Sequence, residues 1–241
     1  MELDLRKQLA QPPEFGRLPQ RRRQHRIRDD LGLDFVLRHA SGARDPLAAP
    51  HAWYALIELA SQREDGAAPV AEAVLMRGIE TGLVADAALA ASLGQAKDFW
   101  RIREMLSEVQ TYEGGSLKSD VSVPVEHLPE FLRRATEAVL AIMPDCRPLP
   151  FGHYGDGNIH FNVSQPVGMD KAAFLACWGD FTDAINAIVL SFGGSISAEH
   201  GIGRMKRALL ARVKGPVEMD MMRAIKQALD PRGILNPGKL L

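Results

Sequence analysis

The feature that most constrains the fold is the ten-residue segment HYGDGNIHFN at 153–162. An Asp-Gly pair between two alternating runs predicts a β-hairpin, because a two-residue type I′ turn needs residues that tolerate positive φ. With Asp156 and Gly157 as the turn, His153 and His160 stand directly opposite each other on adjacent strands. Their Cβ atoms would then lie about 5 Å apart. Asn162 projects from the same face, because it follows His160 by two residues.

Two imidazoles at that separation can reach one metal ion through bonds of roughly 2.1 Å. The segment SISAEHGIG at 195–203 offers a carboxylate as third ligand, and we choose Glu199. Such a site keeps positions open for substrate or water and suits zinc, manganese or iron. Adjacent side chains diverge in most backbone conformations, which leaves His200 as a proton acceptor. The alternative is a coincidental pair of histidines, with Glu199 offsetting a helix dipole and His200 capping a helix.

The rest of the chain alternates helical and strand patterns. This order, with one tight hairpin, predicts an α+β fold in which helices cover an antiparallel sheet. Apolar spacing indicates strands at 53–59, at 120–125 and on both sides of the hairpin turn, and helices at 69–77, 85–110, 129–143, 170–190, 204–213 and 216–229.

Composition limits the class of protein. A chain of 241 residues with 46% hydrophobic residues can bury a sizeable core, and a net charge of −1 argues against a nucleic-acid partner. Two cysteines, Cys146 and Cys177, are too few for a disulfide framework, so we expect reduced thiols. Since no apolar run approaches the roughly 20 residues of a membrane helix, we expect a cytoplasmic protein, with peripheral membrane attachment left open. Residues 1–30 are basic and lack apolar periodicity, which predicts a disordered leader.

Cationic side chains could bind a carboxylate. Arg103 and Ser107 lie four residues apart on a predicted helix and could reach one ligand together. Lys118 precedes the strand that begins near Asp120. From the residues alone, each charge is equally compatible with a solvated surface position.

Three segments carry a family resemblance: HYGDGNIH at 153–160, SAEHGIG at 197–203 and LDPRGILNPGK at 229–239. With them, residues 31–241 resemble the C-terminal domain of FAD-linked oxidases, the group that includes D-lactate dehydrogenases, the flavin subunit of glycolate oxidase and D-2-hydroxyglutarate dehydrogenase. The resemblance implies an α+β domain with ferredoxin-like halves. It assigns a divalent metal to His153, His160 and Glu199, the catalytic base to His200, and the substrate to Arg103, Ser107, Lys118 and Asn162.

The resemblance implies FAD-dependent oxidation of a D-2-hydroxyacid, of the 2-hydroxyglutarate or lactate type, to the 2-oxoacid. The sequence contains no Gly-x-Gly-x-x-Gly motif and no phosphate loop. The resemblance further implies a preceding flavin-binding domain, and we expect that domain to be absent here. FAD would then come from a missing domain or from a separate flavin-binding subunit, and we expect the isolated chain to be inactive. A homo-oligomer is compatible with this expectation. Two alternatives are a catalytically silent remnant that serves as a metal-binding interaction module, and a metal-dependent hydrolase. The hydrolase is less attractive, because no leaving-group acid is evident.

Overall fold

The computed structural model describes residues 31–62 and 66–241, so the predicted leader at 1–30 lies outside the described residues. The chain divides into two compact units between Glu113 and Gly114. Each unit is described by itself below. Among the described residues, no helix is both long enough and apolar enough to cross a membrane.

The regular elements in the described part of the first unit are helices, joined by irregular segments. Helix α1 packs against α3 and buries Phe35 and Val36. Arg38 and His39, at the end of α1, contact the same Glu113 carboxylate at 2.8 and 2.7 Å. The helices are α1 (Leu31–His39), α2 (Ala67–Glu80) and α3 (Leu93–Val109), and a 3-10 turn at Gln110–Glu113 follows α3.

The strand predicted at 53–59 is wrong, because this segment forms no regular strand. A strand is stabilised by ladder hydrogen bonds, and this segment has no strand partner among the described residues. Its side chains bond locally or to α3 instead. The Tyr54 hydroxyl accepts from the amide of His51 at 2.9 Å, and the Trp100 indole donates to the Glu58 carboxylate at 2.8 Å.

The second unit is built on an antiparallel sheet of four strands. Strand β4 is central, with β3 on one side and the short strands β1 and β2 on the other. The predicted α+β class, an antiparallel sheet covered by helices, is confirmed. The strands are β1 (Ser116–Leu117), β2 (Asp120–Ser122), β3 (Arg147–His153) and β4 (Asn158–Ser164), and the helices are α4 (Leu128–Ile142), α5 (Lys171–Ala176), α6 (Trp178–Ser191), α7 (Arg207–Val213) and α8 (Pro216–Leu229).

One face of the sheet forms the core. Residues two apart on a strand share a face, so Ile159, Phe161 and Val163 all point the same way. They belong to one buried cluster with the apolar residues of α4 and α6. Phe161 is fully buried, and its ring meets that of Phe131 edge-on at 5.8 Å. Burial of each such side chain contributes about 1.5–3 kcal/mol. The opposite face is therefore left for polar residues.

The hairpin exists, but its predicted register is wrong. His153 pairs with Asn158, and His160 pairs with Phe151. The turn is longer than two residues, because a 3-10 turn at Tyr154–Asp156 precedes Gly157. The Asp156 carboxylate accepts from the amide of Asn158 at 3.0 Å, and only Gly157 takes a positive φ, of 72°. This turn spares an aspartate the left-handed conformation that a type I′ turn would impose on it.

Helix ends follow capping groups. The helix predicted at 85–110 begins at Leu93, because the Ser92 hydroxyl accepts from the amide of Gln95 at 3.1 Å. The helix predicted at 170–190 is interrupted at Cys177 and forms α5 and α6. The amide of Cys177 bonds to the carbonyl of Phe174, three residues earlier, and this tighter bond closes α5. The helices predicted at 129–143 and 216–229 are confirmed as α4 and α8.

Candidate metal and substrate site

The polar face of the sheet carries the candidate site. Facing residues of an antiparallel pair project to the same side, so Phe151, opposite His160, shares its face. His153 lies two residues further along β3 and is a diagonal neighbour of His160 rather than its direct partner. On the other side of β4, Asp120 pairs with His160. The polar residues on this face include Asp120, His153, Asn158, His160 and Asn162.

The segment that carries Glu199 and His200 is joined to the edge of β2. Ser195 and Ser122 exchange two backbone hydrogen bonds, of 2.8 and 3.0 Å. Gly194 permits this contact, since a Cβ at that position would lie 2.2 Å from the carbonyl oxygen of Ser122. Gly194 therefore allows the segment to approach the backbone of β2 closely.

Glu199 contacts both predicted histidine ligands. Its Oε1 lies 3.2 Å from Nδ1 of His153, and its Oε2 lies 3.8 Å from Nε2 of His160. The Asn158 amide also donates to Oε1. His160 is mostly buried, whereas His153 and Glu199 are about half exposed. Two imidazole nitrogens and one carboxylate, open to solvent on one side, form a donor set that fits a divalent cation such as zinc.

Asp120 is the site residue that the sequence analysis missed. It is 3% exposed, and its Oδ2 accepts from the backbone amides of Ala198, Glu199 and His200 at 3.1, 3.0 and 2.9 Å. Burial raises the pKa of this carboxyl, but amide donation by His200 and Glu199 and the charges of His200 and Lys206 outweigh it and hold the pKa below its usual value. The sequence offers only an aspartate at the start of the predicted strand at 120–125, and its pairing with His160 comes from the fold.

A second group of candidate ligands is formed by Asp120, His160 and His200, whose ligand atoms lie within 4.8 Å of one another. In this group Asp120 has only Oδ1 without hydrogen-bond donors, because its Oδ2 accepts from three backbone amides. The rings of His160 and His200 are stacked, with centroids 5.5 Å apart and planes 24° apart.

His200 is the most exposed of the site histidines, with 65% of its side chain accessible. Its Nδ1 lies 3.9 Å from Oδ2 of Asp120, and its ring centroid lies 5.5 Å from that of His160. Exposure and proximity to the candidate ligands are what a proton acceptor for a substrate hydroxyl needs.

Two of the predicted substrate residues lie on the polar face. Lys118 stands between β1 and β2, and the register on both sides of this break places it opposite Asn162. Lys118 is exposed, whereas Asn162 is buried and accepts from the amide of Ser119 at 3.3 Å. Arg103 and Ser107 lie one turn apart on α3, in the first unit, where Arg103 is half-buried and Ser107 exposed. Their part in substrate binding stays a prediction.

Lys206 is a second residue that the sequence analysis did not single out. Its ammonium donates to the carbonyl oxygens of Asp120 at 3.0 Å and Ile196 at 2.6 Å. Burial lowers the pKa of Lys206, and the charge of Asp120 opposes that change. Lys206 therefore ties the segment before Glu199 to β2.

Comparison with known proteins gives a consistent result. A family model described as "FAD linked oxidases, C-terminal domain" matches residues 23–240. The chain is 38% identical over 215 residues to a D-2-hydroxyglutarate dehydrogenase of Xanthomonas citri pv. viticola, a match that covers 88% of the chain and 44% of the relative. The mitochondrial D-2-hydroxyglutarate dehydrogenase of Arabidopsis thaliana is 37% identical over 88% of the chain and 37% of the relative. A D-lactate dehydrogenase of Anaerostipes hadrus is 38% identical over 74% of the chain and 36% of the relative.

These matches span less than half of each relative. The mitochondrial name of the Arabidopsis relative also means that similarity alone does not support the predicted cytoplasmic location.

Proposed function

We propose, from the premise that this chain belongs to the FAD linked oxidases through their C-terminal domain, that it supplies the metal and substrate site for oxidation of a D-2-hydroxyacid to the 2-oxoacid. The observation that carries the proposal is the position of Glu199, whose two carboxylate oxygens face His153 and His160. D-2-hydroxyglutarate is the first substrate to test, and D-lactate the second, because relatives with both names match the chain.

The proposed ligands are His153, His160 and Glu199, and the cation is zinc, manganese or iron. Bound there, a divalent cation supplies Lewis-acid stabilisation to the hydroxyl and carboxylate oxygens of the substrate. The face of the sheet that carries the site is polar, and the opposite face packs against α4 and α6. This packing fixes the strands that carry His153 and His160.

Lys118 and Asn162 are proposed to orient the substrate carboxylate. Lys118 stands opposite Asn162 of β4, on the side of the sheet that holds His160. An exposed ammonium beside a buried amide offers a charge for the carboxylate and a fixed group to align it.

His200 is proposed as the base that takes the hydroxyl proton. The oxidation then balances: the proton goes to His200, and the hydride from the α-carbon goes to FAD, which supplies the two-electron acceptor when bound. No strand in the described residues is followed by a Gly-x-Gly-x-x-Gly loop, so we assign no flavin-binding residue here.

We propose that FAD is held by polypeptide other than these 241 residues, whether continuous with them or a separate subunit. Helix α8 carries an exposed apolar row, because apolar side chains four residues apart share one side of a helix. The row consists of Val217, Met221, Ile225 and Leu229, each more than half exposed. This row offers the flavin-binding polypeptide a surface to pack against.

Sedimentation of the chain should give a monomer. A dimer that Met221→Glu disrupts would instead assign the row to contact with a second copy of the chain.

Metal content tests the ligand set. The purified chain, dialysed against Zn²⁺, should bind one equivalent, and His160→Ala and Glu199→Ala should each abolish this binding. His127→Ala is the matched control, because His127 is an exposed histidine of the same unit that stacks on Phe192. Zinc binding that survives both site substitutions would refute the ligand set.

Turnover tests the reaction. In a chimaera that replaces the matched part of the Xanthomonas citri relative with this chain, D-2-hydroxyglutarate should bleach the flavin absorbance. His200→Ala should abolish bleaching and leave zinc content unchanged. If the His200→Ala chimaera bleaches at the full rate, His200 is not the base. If the unsubstituted chimaera binds zinc but oxidises no substrate, the chain is a metal-binding interaction module instead.

A further inference from the structure

The geometry points to Asp120 as a positioning residue that fixes the ring of His160 with one carboxylate oxygen and the backbone of Glu199 and His200 with the other. It acts on the metal ligands without being one of them. This inference rests on the ligand set proposed above, and it assigns a role to a residue that the ligand set leaves unused.

The first half of the role belongs to Oδ2. This oxygen accepts from three successive backbone amides, at residues 198, 199 and 200. Successive amides converge on one acceptor only when the backbone curves around it. Oδ2 therefore fixes the backbone conformation of Glu199 and His200. In that conformation the Glu199 side chain points toward the histidines, and the His200 ring lies beside the ring of His160.

The second half belongs to Oδ1, which is buried and has no hydrogen-bond partner among the described residues. Nδ1 of His160 faces it at 3.8 Å, while Nε2 of the same ring faces Oε2 of Glu199, also at 3.8 Å. A neutral imidazole binds a metal through one nitrogen while the other carries the proton. A carboxylate on the Nδ1 side keeps the proton there and leaves Nε2 as the ligand atom, the pattern by which outer carboxylates orient metal-bound histidines.

Direct ligation by Asp120 fits the geometry less well. Its Oδ2 already has three amide donors, so Oδ1 is the atom that could bind an ion. An ion at Oδ1 that also bound His160 would occupy the Nδ1 side, away from Glu199.

The substitution Asp120→Asn separates the two halves. The three amides keep the remaining carbonyl oxygen at the position of Oδ2, so the new NH₂ group faces Nδ1 of His160. That contact favours a lone pair on Nδ1 and a proton on Nε2, which blocks the ligand atom. Asp120→Ala removes both halves. Asp230→Asn is the matched control, because Asp230 is also buried and accepts from two successive loop amides, at Ile234 and Leu235.

The experiment is ¹⁵N NMR of the histidine-labelled chain, free of metal and at a pH where the imidazoles are neutral, with His160 assigned through its substitution. The wild type should carry the His160 proton on Nδ1, and Asp120→Asn should move it to Nε2. Hydrogen exchange of the amides at 198–200 should stay slow in Asp120→Asn and become fast in Asp120→Ala. Zinc affinity should fall about 10- to 100-fold in Asp120→Asn and stay unchanged in Asp230→Asn.

The wild-type tautomer decides the inference even if a variant fails to fold. A proton on Nε2 of His160 in the wild type, an unchanged tautomer in Asp120→Asn, or a zinc-induced shift at Nδ1 instead of Nε2 would each overturn it. A wild-type chain that binds no zinc would defeat the proposed function, while the tautomer of the metal-free protein would still test Asp120.

Discussion

Gly157→Ala should destabilise the second unit and weaken its metal site, although it adds one methyl group in a surface turn. Gly157 has φ of 72°, where an alanine costs about 1–2 kcal/mol. The new Cβ would also lie 2.0 Å from the carbonyl oxygen of Val123, so that backbone must move. The movement strains the 3.1 Å bond from the amide of Val123 to the carbonyl of Gly157, a bond contributing about 0.5–1.5 kcal/mol. The expected loss in unfolding free energy is about 2–3 kcal/mol.

Gly155→Ala is the control in the same turn. A Cβ at Gly155 meets nothing within 4 Å, and its φ is not positive, so the substitution should be neutral or stabilising by up to about 1 kcal/mol. Urea denaturation of both variants gives the difference, and zinc titration shows whether the shifted turn moves His153. If the two variants unfold within about 0.5 kcal/mol of each other, the assigned conformation of this turn is wrong.

Other predictions concern the core, a thiol and an acidic loop. Phe161 lies on the strand that carries His160, and its ring is fully buried against Phe131. Phe161→Ala should therefore lower the free energy of unfolding by about 3–5 kcal/mol in urea denaturation. A loss below about 1 kcal/mol would contradict the packing. Burial, with a smaller effect of Asp145, raises the pKa of the Cys146 thiol to about 12. In the native protein iodoacetamide should therefore modify Cys177 well before Cys146, as read by peptide mass spectrometry, and equal rates would refute this. A hydrogen bond from Lys226 lowers the pKa of Asp230; burial opposes the change, and the amides of Leu235 and Ile234 assist it. A carboxyl with a depressed folded pKa stabilises the fold above its unfolded pKa of about 3.9 and loses that contribution as the pH falls. Asp230→Asn should thus reduce the fall in unfolding free energy between about pH 7 and pH 3, and an unchanged pH dependence would count against the assigned interactions.

The sequence predicts those parts of the site that depend on local rules. Alternation along a strand is enough to place His160 and Asn162 on one face, and the glycine-containing turn is enough to predict a hairpin. Helix α8 was predicted with its bounds, because Pro216 suits the first turn of a helix and the sequence from Asp230 onward breaks the pattern.

The missed features depend on contacts between distant residues. The hairpin register follows from the bond of the Asp156 side chain to Asn158 and from the contact of Gly157 with Val123 on the neighbouring edge. Asp120 contacts the segment at Ala198–His200 across 78 to 80 positions in sequence. A motif reveals a histidine pair, but a carboxylate that holds a distant loop becomes visible only when the fold joins the two segments.

The most direct test of the account is a crystal structure of the zinc-loaded chain with anomalous diffraction at the zinc edge. We predict one strong peak, with Nε2 of His160, a nitrogen of His153 and a carboxylate oxygen of Glu199 each about 2.0–2.2 Å away. A peak coordinated by Asp120 and His200 in place of His153 and Glu199 would contradict it.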